Sequence, residues 1–204
     1  MNMDIPLMIF ARAPVPGECK TRLIPALGAE GAAALHARLV EHAIQTARAS
    51  EVGPAGLWCA DDQDHPFFAR CAKEFGVSLH RQCEGDLGAR MLQAFVHAGG
   101  PALLAGSDAP SITPQHWRDC AQALATHDAV FLPAEDGGYA LTGLQKPGSG
   151  IFRNMVWSTR EVMAQTRARL RAMQMTWAEP AVVWDVDDVN GLERLRASGL
   201  IGAF

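Results

Sequence analysis

Two cations, Lys20 and Arg22, stand in a stretch rich in proline and glycine, ARAPVPGECKTRL, residues 11–23, directly after an apolar run. A loop of that composition offers fixed positive charge and backbone N–H groups to a polyphosphate. The same composition also suits a solvated surface loop. In the phosphate-binding reading Lys20→Ala weakens diphosphate binding and leaves the melting temperature almost unchanged, whereas a large loss of stability would make the lysine structural. It is not a Walker loop, because Cys19 stands where that motif needs glycine, and Leu23-Ile24-Pro25 interrupts the helix that should follow. A carboxylate, Asp108, ends a second apolar run in Gly106-Ser107-Asp108-Ala109-Pro110. Mg²⁺ is typically held by one or two carboxylates plus substrate phosphates, so one such residue suffices as an anchor. Aspartate beside a proline is equally a turn former.

Three further groups have the types needed for chemistry. Gly85, Asp86, Gly88 and Arg90 open a helical stretch, where the glycines admit a flat ligand and Asp86 serves either a ligand or the helix N-cap. Glu135-Asp136-Gly137-Gly138-Tyr139 places two adjacent glycines between apolar runs, a costly arrangement unless chain or ligand passes closely. In Asp185-Val186-Asp187-Asp188, alternation puts Asp185 and Asp187 on one side of an extended segment, where they can share a cation, and Asp188 suits the N-cap of the last helix. His80 with Cys83, and His116 with Cys120, have the spacing of metal pairs, but no completing pair accompanies either.

The elements that must carry these groups alternate between short apolar runs and amphipathic stretches, which predicts a layered α/β fold. Strands are predicted at 5–11, 55–60, 77–81, 102–106, 129–132, 139–144 and 181–184. Helices are predicted at 28–50, 65–75, from about 87 with Leu87, Met91 and Phe95 on one face, and from Thr113-Pro114 with Trp117, Cys120, Ala121 and Leu124 inward. Ser158 to Glu161 reads as a capping box ahead of a helix with Val162, Met163, Thr166, Leu170 and Met173 on one face. A last helix carries Leu192, Leu195 and Leu200. In open sheets of this class ligands bind beyond the carboxyl ends of the strands. The loops containing Lys20, Asp86, Asp108 and Asp136 all follow predicted strands.

The 204 residues are 49% apolar and form a single expected domain, 1–204. The net charge of −4 is evenly spread, with 9 basic and 11 acidic residues in each half, so no basic stripe points to nucleic acid. No run has the apolar length of a membrane span, and no basic segment followed by an apolar one suggests export. Five scattered cysteines without a CxxC pair point to reduced thiols and a cytoplasmic protein.

Taken in order, FARAPVPGECKTRL, GDLGARM, GSDAP, PAEDGGYALTGL, MVWSTREV and WDVDD resemble the bacterial glycosyltransferase-A-like family associated with arsenosugar gene clusters. That family belongs to the nucleotide-diphospho-sugar transferase superfamily and is similar in fold to guanylyltransferases for 2-phospholactate and molybdenum cofactor. The resemblance implies a three-layer α/β/α domain with a mostly parallel sheet that receives a nucleotide or nucleotide-sugar. It implies Gly17, Lys20 and Arg22 along the phosphates, and Ala11, Arg12, Ala13, Asp86, Gly88 and Arg90 around base and ribose. It further implies Mg²⁺ or Mn²⁺ on Asp108 and Asp187, and Asp136, Gly137, Gly138 and Tyr139 beside the acceptor or transferred group. Lys20, Asp108 and Asp136 are then the catalytic candidates. The implied reaction is metal-dependent glycosyl transfer from a nucleotide-diphospho-sugar. The alternatives are nucleotidyl transfer from an NTP with release of pyrophosphate, and nucleotide binding without catalysis. Ser107-Asp108 offers one carboxylate where glycosyltransferases of this fold usually have Asp-x-Asp, which leans toward nucleotidyl transfer.

Overall fold

A computed structural model describes residues 4–60, 62–148 and 150–202. The first strand, β1 (Leu7–Arg12), is buried on both faces until Arg12, as expected of a central strand in a parallel sheet. Around it the chain builds α1 (Ile24–Ala49), β2 (Ala55–Ala60), α2 (Pro66–Phe75), β3 (Ser78–Arg81), α3 (Leu87–Ala98) and β4 (Ala102–Gly106). It continues through α4 (Pro114–Leu124), β5 (Ala129–Pro133), β6 (Tyr139–Leu144), α5 (Val162–Ala172), β7 (Trp177–Ala178) and α6 (Val189–Ser198). Short 3-10 turns occupy Thr21–Leu23 and Gly150–Phe152.

The seven strands form one sheet in the order β3-β2-β1-β4-β6-β5-β7. β6 runs antiparallel to both its neighbours, and the other pairings are parallel. The alternation along β1 sorts the core into two layers. Leu7, Ile9 and Ala11 face one side with residues of α1, α2 and α4, whereas Met8 and Phe10 face the other with residues of α3 and α5. A smaller cluster joins Leu23, Leu35 and Leu39 to Val186, Leu192 and Leu195, docking the C-terminal segment beside the loop after β1.

Several local expectations hold through identifiable chemistry. Thr113 and His116 form a reciprocal capping box at α4, and Asp86 and Asp188 accept from Ala89 N–H and Gly191 N–H as N-caps. Regular helical geometry in α1 starts after Gly28, whose backbone (φ +72°) breaks the first turn from the rest.

Three expectations differ. The strand at 181–184 is not formed: β7 lies earlier, at Trp177–Ala178, and beyond it only a single bridge pairs Val183 with Ala134. Pro180, which has no N–H to donate, separates the two. Ser158 does not cap α5. It sits at φ +61°, and the helix begins after Glu161 without a side-chain cap, because Met163 N–H donates instead to the Gly137 carbonyl. Met173 and Leu200 lie past their helices and are exposed, not inward.

The β4–β6 contact leaves no space at Gly143. A Cβ there would meet the Leu103 Cδ2 atom and lie 2.7 Å from Val130 Cγ1, both in the core. Gly143→Ala is therefore expected to destabilise the fold by about 1–3 kcal/mol through overpacking. In urea denaturation the midpoint should fall with the slope unchanged, and an unshifted midpoint would refute the tight packing.

Candidate functional site

The strand order reverses between β1 and β4, because the chain first winds outward through β2 and β3 and then returns to the other side of β1. A crevice beyond the carboxyl ends of β1 and β4 is the ligand position that such a reversal creates. The loop carrying Lys20 leaves β1 at that edge, and Asp108 leaves β4 at the same edge.

Long-range contacts fix what the loops present. Gly17 takes φ +87° and Lys20 φ +47°, a left-handed conformation that costs a non-glycine residue about 1–2 kcal/mol. This turn sends the Lys20 side chain inward, leaving it only 5% exposed. Its Nζ lies 2.7 Å from Asp108 Oδ1 and donates to the Val186 carbonyl at 2.7 Å and to Asp187 Oδ1 at 3.1 Å. The Asp108 contact is a close ion pair without hydrogen-bond alignment, so Oδ1 is buried with no aligned donor. Backbone bonds reinforce the arrangement. Val186 N–H donates to the Asp108 carbonyl at 2.9 Å, and Ser111 Oγ both donates to the Trp184 carbonyl and accepts from Trp184 N–H. The segment 184–187 is thus stitched to the loop after β4.

Burial shapes the protonation states here. It works against the charged Lys20, yet Asp108 and Asp187 outweigh it and raise the ammonium above its ordinary range. Burial would also raise the Asp108 carboxyl, but the charge of Lys20 holds it below the usual carboxylate range. His36, buried in α1, accepts no proton readily because burial lowers its pKa. Its Nε2–H donates to the Arg12 carbonyl (3.1 Å), so Nδ1, 4.0 Å from Asp108 Oδ1, carries the lone pair. Cys19, in the same loop, is buried with its thiol pKa raised, chiefly by that burial.

Beside this ion pair a cleft of about 150 Å³ is lined by Asp108, Asp136, Gly138, Tyr139 and Asp185 among others. Asp136 Oδ1 accepts from Gly138 N–H at 2.8 Å, closing the turn that aims the carboxylate. Gly137 (φ +95°) has no room for a side chain, since a Cβ would strike the Arg160 carbonyl. The Tyr139 ring packs against Phe131 and Trp157, and its buried hydroxyl has no hydrogen-bond partner among the described residues. Asp185 is pushed up to about 6, first by burial and then by Asp136 and Asp187. A larger depression of about 200 Å³, lined by Arg38, Glu41, His42 and Gln45 of α1 with residues 200–202, contains none of these groups.

The sequence candidates divide accordingly. Lys20, Asp108 and Asp187 meet directly, with Arg22 3.9 Å from Asp187 and its side chain 75% exposed. Asp108 also joins Asp136, Gly138 and Tyr139 in the cleft. Ala11 and Ala13 are buried, and Arg12 is exposed with Nη1 donating to the Glu18 carbonyl. Asp86 is engaged as a helix cap and Arg90 Nε donates to the Gly85 carbonyl. Gly88 is buried, and a Cβ there would lie 2.6 Å from the Phe152 carbonyl and 3.0 Å from Trp157, which accounts for a glycine by packing alone. Lys20 is not a solvated cation, so alanine there would leave two facing carboxylates without their shared charge. His36 was not among the candidates, and a polar residue beside Leu35 on the inward side of α1 is the signal that could have found it. Asp185, considered with Asp187 as a shared cation ligand, lines the cleft instead.

The donor set suits a hard divalent cation. Asp108 and Asp187 direct oxygens at one point, and that point already holds a cation, the Lys20 ammonium. Among the described residues, no three His, Cys, Asp or Glu side chains group as a metal cluster, so any such ion would draw further ligands from phosphate or water. No helix of the described residues is long and apolar enough to cross a membrane.

Residues 43–159 match the model of a family described as an uncharacterized protein conserved in bacteria (DUF2064). That stretch contains Asp86 to Arg90, Asp108 and Asp136 to Tyr139. No curated protein matches the chain by sequence. Among solved structures, one from Desulfovibrio desulfuricans G20, provisionally assigned as a nucleotide-diphospho-sugar transferase, superposes with a TM-score of 0.87 at 26% identity, covering 96% of this chain and 87% of that one. A 4-diphosphocytidyl-2C-methyl-D-erythritol synthase from Anaerococcus prevotii DSM 20548 superposes at 0.64 with 8% identity, covering 97% and 99%. An inositol-1-phosphate CTP transferase from T. maritima superposes at 0.59 with 9% identity, covering 98% and 96%. At such identities the last two show a shared fold. The structural relatives are transferases, consistent with an enzyme.

The raised Asp185 carboxyl gives a pH signature. Its folded-state pKa of about 6 exceeds the ordinary 3.8, so the folded chain holds this proton more tightly than the unfolded chain. The resulting stability is full below pH 3.8 and is lost as pH rises through 6. Asp185→Asn removes this dependence. Between pH 4 and 6.5, urea midpoints should fall with pH more steeply for the wild type than for the variant, and parallel curves would contradict the raised pKa.

Proposed function

The chain belongs to the DUF2064 family, and from that premise we propose that it is a transferase acting on a nucleotide-diphospho-sugar, passing the sugar to an acceptor hydroxyl. The observation that carries the reading is the convergence of Lys20, Asp108 and Asp187 beside the Asp136–Asp185 cleft, at the point where the strand order reverses. The high superposition on a protein assigned to this chemistry supports it.

In this reading the diphosphate lies along the loop from Gly17 to Arg22. The exposed Arg22 guanidinium meets phosphate oxygens, and the charge that develops on the leaving diphosphate is stabilised by groups already in place. Mg²⁺ or Mn²⁺, held by Asp108 with Asp187, supplies further neutralisation of that diphosphate when bound. Asp136, fixed by Gly138 N–H, orients the acceptor hydroxyl and takes its proton as the new glycosidic bond forms. Tyr139 and the Gly137-Gly138 turn wall the acceptor side. Ala11 to Ala13 and the Asp86 to Arg90 turn border the nucleoside. Five free cysteines, four of them buried, suit work in a reducing compartment such as the cytoplasm. The resemblance to arsenosugar-cluster sequences rests on motif order and adds no contact to this site.

Nucleotidyl transfer is the second reading, favoured by the single carboxylate at the tip of β4 and by superposition on cytidylyl- and CTP-transferase folds. There the acceptor oxygen attacks the α-phosphate of an NTP, a new P–O bond forms, and pyrophosphate leaves.

Calorimetry separates the readings. A panel of nucleotide-diphospho-sugars and NTPs is titrated into the protein with and without Mg²⁺ or Mn²⁺. Metal-dependent binding of a nucleotide sugar, weakened at least tenfold in Asp108→Asn, is the expected result. Selective NTP binding with pyrophosphate release would move the assignment to nucleotidyl transfer. Binding of neither class would overturn both.

A further inference from the structure

An ammonium has three N–H donors and no acceptor. Lys20 has three oxygen partners within 3.1 Å, namely the Val186 carbonyl, Asp108 Oδ1 and Asp187 Oδ1, and its side chain is 5% exposed. The protein itself therefore encloses this cation in oxygen, with two hydrogen bonds and one close ion contact. A phosphate oxygen can be received only if one of those partners is released. Releasing a carboxylate uncovers negative charge beside Asp136 and Asp185, which line the same cleft as Asp108. Another cation must then take up that charge.

We infer that Lys20 is an exchangeable counter-ion: it bridges Asp108 and Asp187 while the site is empty, excludes a divalent cation from that pair, and is released toward the phosphates when the cation enters. The phosphate half of this statement rests on the proposed function, whereas the mutual exclusion of lysine and metal stands on the ion pair alone. Three features of the chain fit an exchange. Lys20 is held in a left-handed backbone conformation that relaxes when the side chain lets go. Gly17, three residues earlier, has open space around it and can absorb a change in the loop. Arg22 already stands 3.9 Å from Asp187, so that carboxylate keeps a positive neighbour throughout.

The ion pair is testable with metal alone, before any nucleotide is known. Mn²⁺ is titrated into the full chain, the Lys20→Gln variant and the Lys20→Gln/Asp108→Asn double variant, read by the loss of the free Mn²⁺ electron-spin-resonance signal. Glutamine keeps a donor for the Val186 carbonyl and removes the charge. Lys20→Gln should bind Mn²⁺ at least tenfold more tightly than the wild type, and Asp108→Asn should abolish that gain. Equal affinity of the wild type and a folded Lys20→Gln would overturn the exclusion, as would a gain that survives Asp108→Asn.

Where Lys20→Gln does not fold, the wild type answers by itself. The chain has three lysines, and Lys73 and Lys146 are exposed. In a ¹⁵N-lysine spectrum the one ammonium shielded from water exchange is then Lys20. Saturating Mg²⁺ should shift or remove its signal, and an unchanged signal would overturn the exchange. Nucleotide binding by the wild type with Mg²⁺ is scored separately. Its failure removes the proposed function and leaves the lysine–metal exclusion standing, and the reverse pattern removes the exchange alone.

Discussion

The Lys20 ammonium meets Asp108, Asp187 and the Val186 carbonyl at the carboxyl edge of the sheet, joining residues up to 167 positions apart in sequence. Each partner comes from a different part of the fold: the loop after the central strand, the tip of β4 and the segment before α6. Removing a buried charge partner leaves the opposite charge uncompensated, so these three stretches are coupled electrostatically as well as by packing. The coupling has a geometric counterpart in the cluster of Leu23, Leu35 and Leu39 with Val186, Leu192 and Leu195, which seats the C-terminal segment close enough for the ion pair to form. The apolar contacts set the approach, and the charges set the register.

The cleft is assembled on that foundation by backbone constraint. Asp136 lies on a turn whose glycine at 137 touches the Arg160 carbonyl, while the Gly137 carbonyl accepts from Met163 N–H. The start of α5 thus occupies the outer side of the turn, and the Asp136 carboxylate faces Asp108 and Asp185 across the cleft. The same contact satisfies the Met163 N–H that a side-chain cap at Glu161 would otherwise receive, so α5 starts without one. A local preference worth about 1 kcal/mol yields to a tertiary contact that positions the site.

This contrast indicates what a sequence can disclose. The buried strand at 102–106 with Asp108 beyond it, the capping residues Thr113, Asp86 and Asp188, and the inward stripe of α4 were legible, because each depends on residues within a few positions of one another. The four loops were legible as a set because strands of this class deliver their loops to one edge. The burial of Lys20 was not, since composition around residue 20 says nothing of a carbonyl at 186. The strand at 181–184 misled for a related reason: its apolar run was correctly seen, but Pro180 ends the ladder and only Val183 reaches a neighbour. Alternation put Asp185 and Asp187 on one side, but the structure gives them different surroundings, Asp185 in the cleft and Asp187 on Lys20, beside the stitch between Ser111 and Trp184.

That stitch also bears on how the site handles charge. Asp108 and Asp187 meet the buried Lys20 ammonium, and Asp136 and Asp185 line the cleft beside them, so carboxylates outnumber the cations in contact with them. Burial is the first cause of the raised Asp185 carboxyl, and the charges of Asp136 and Asp187 add to it. An incoming phosphate chain alone would worsen the repulsion. In the proposed function a divalent cation accompanying the phosphate chain would relieve it, the anion meeting Lys20 and Arg22 and the cation meeting Asp108 and Asp187. The excess of carboxylates is therefore coherent with a site that takes its anionic ligand and its cation together, and the lysine bridge is the arrangement in which the same residues wait.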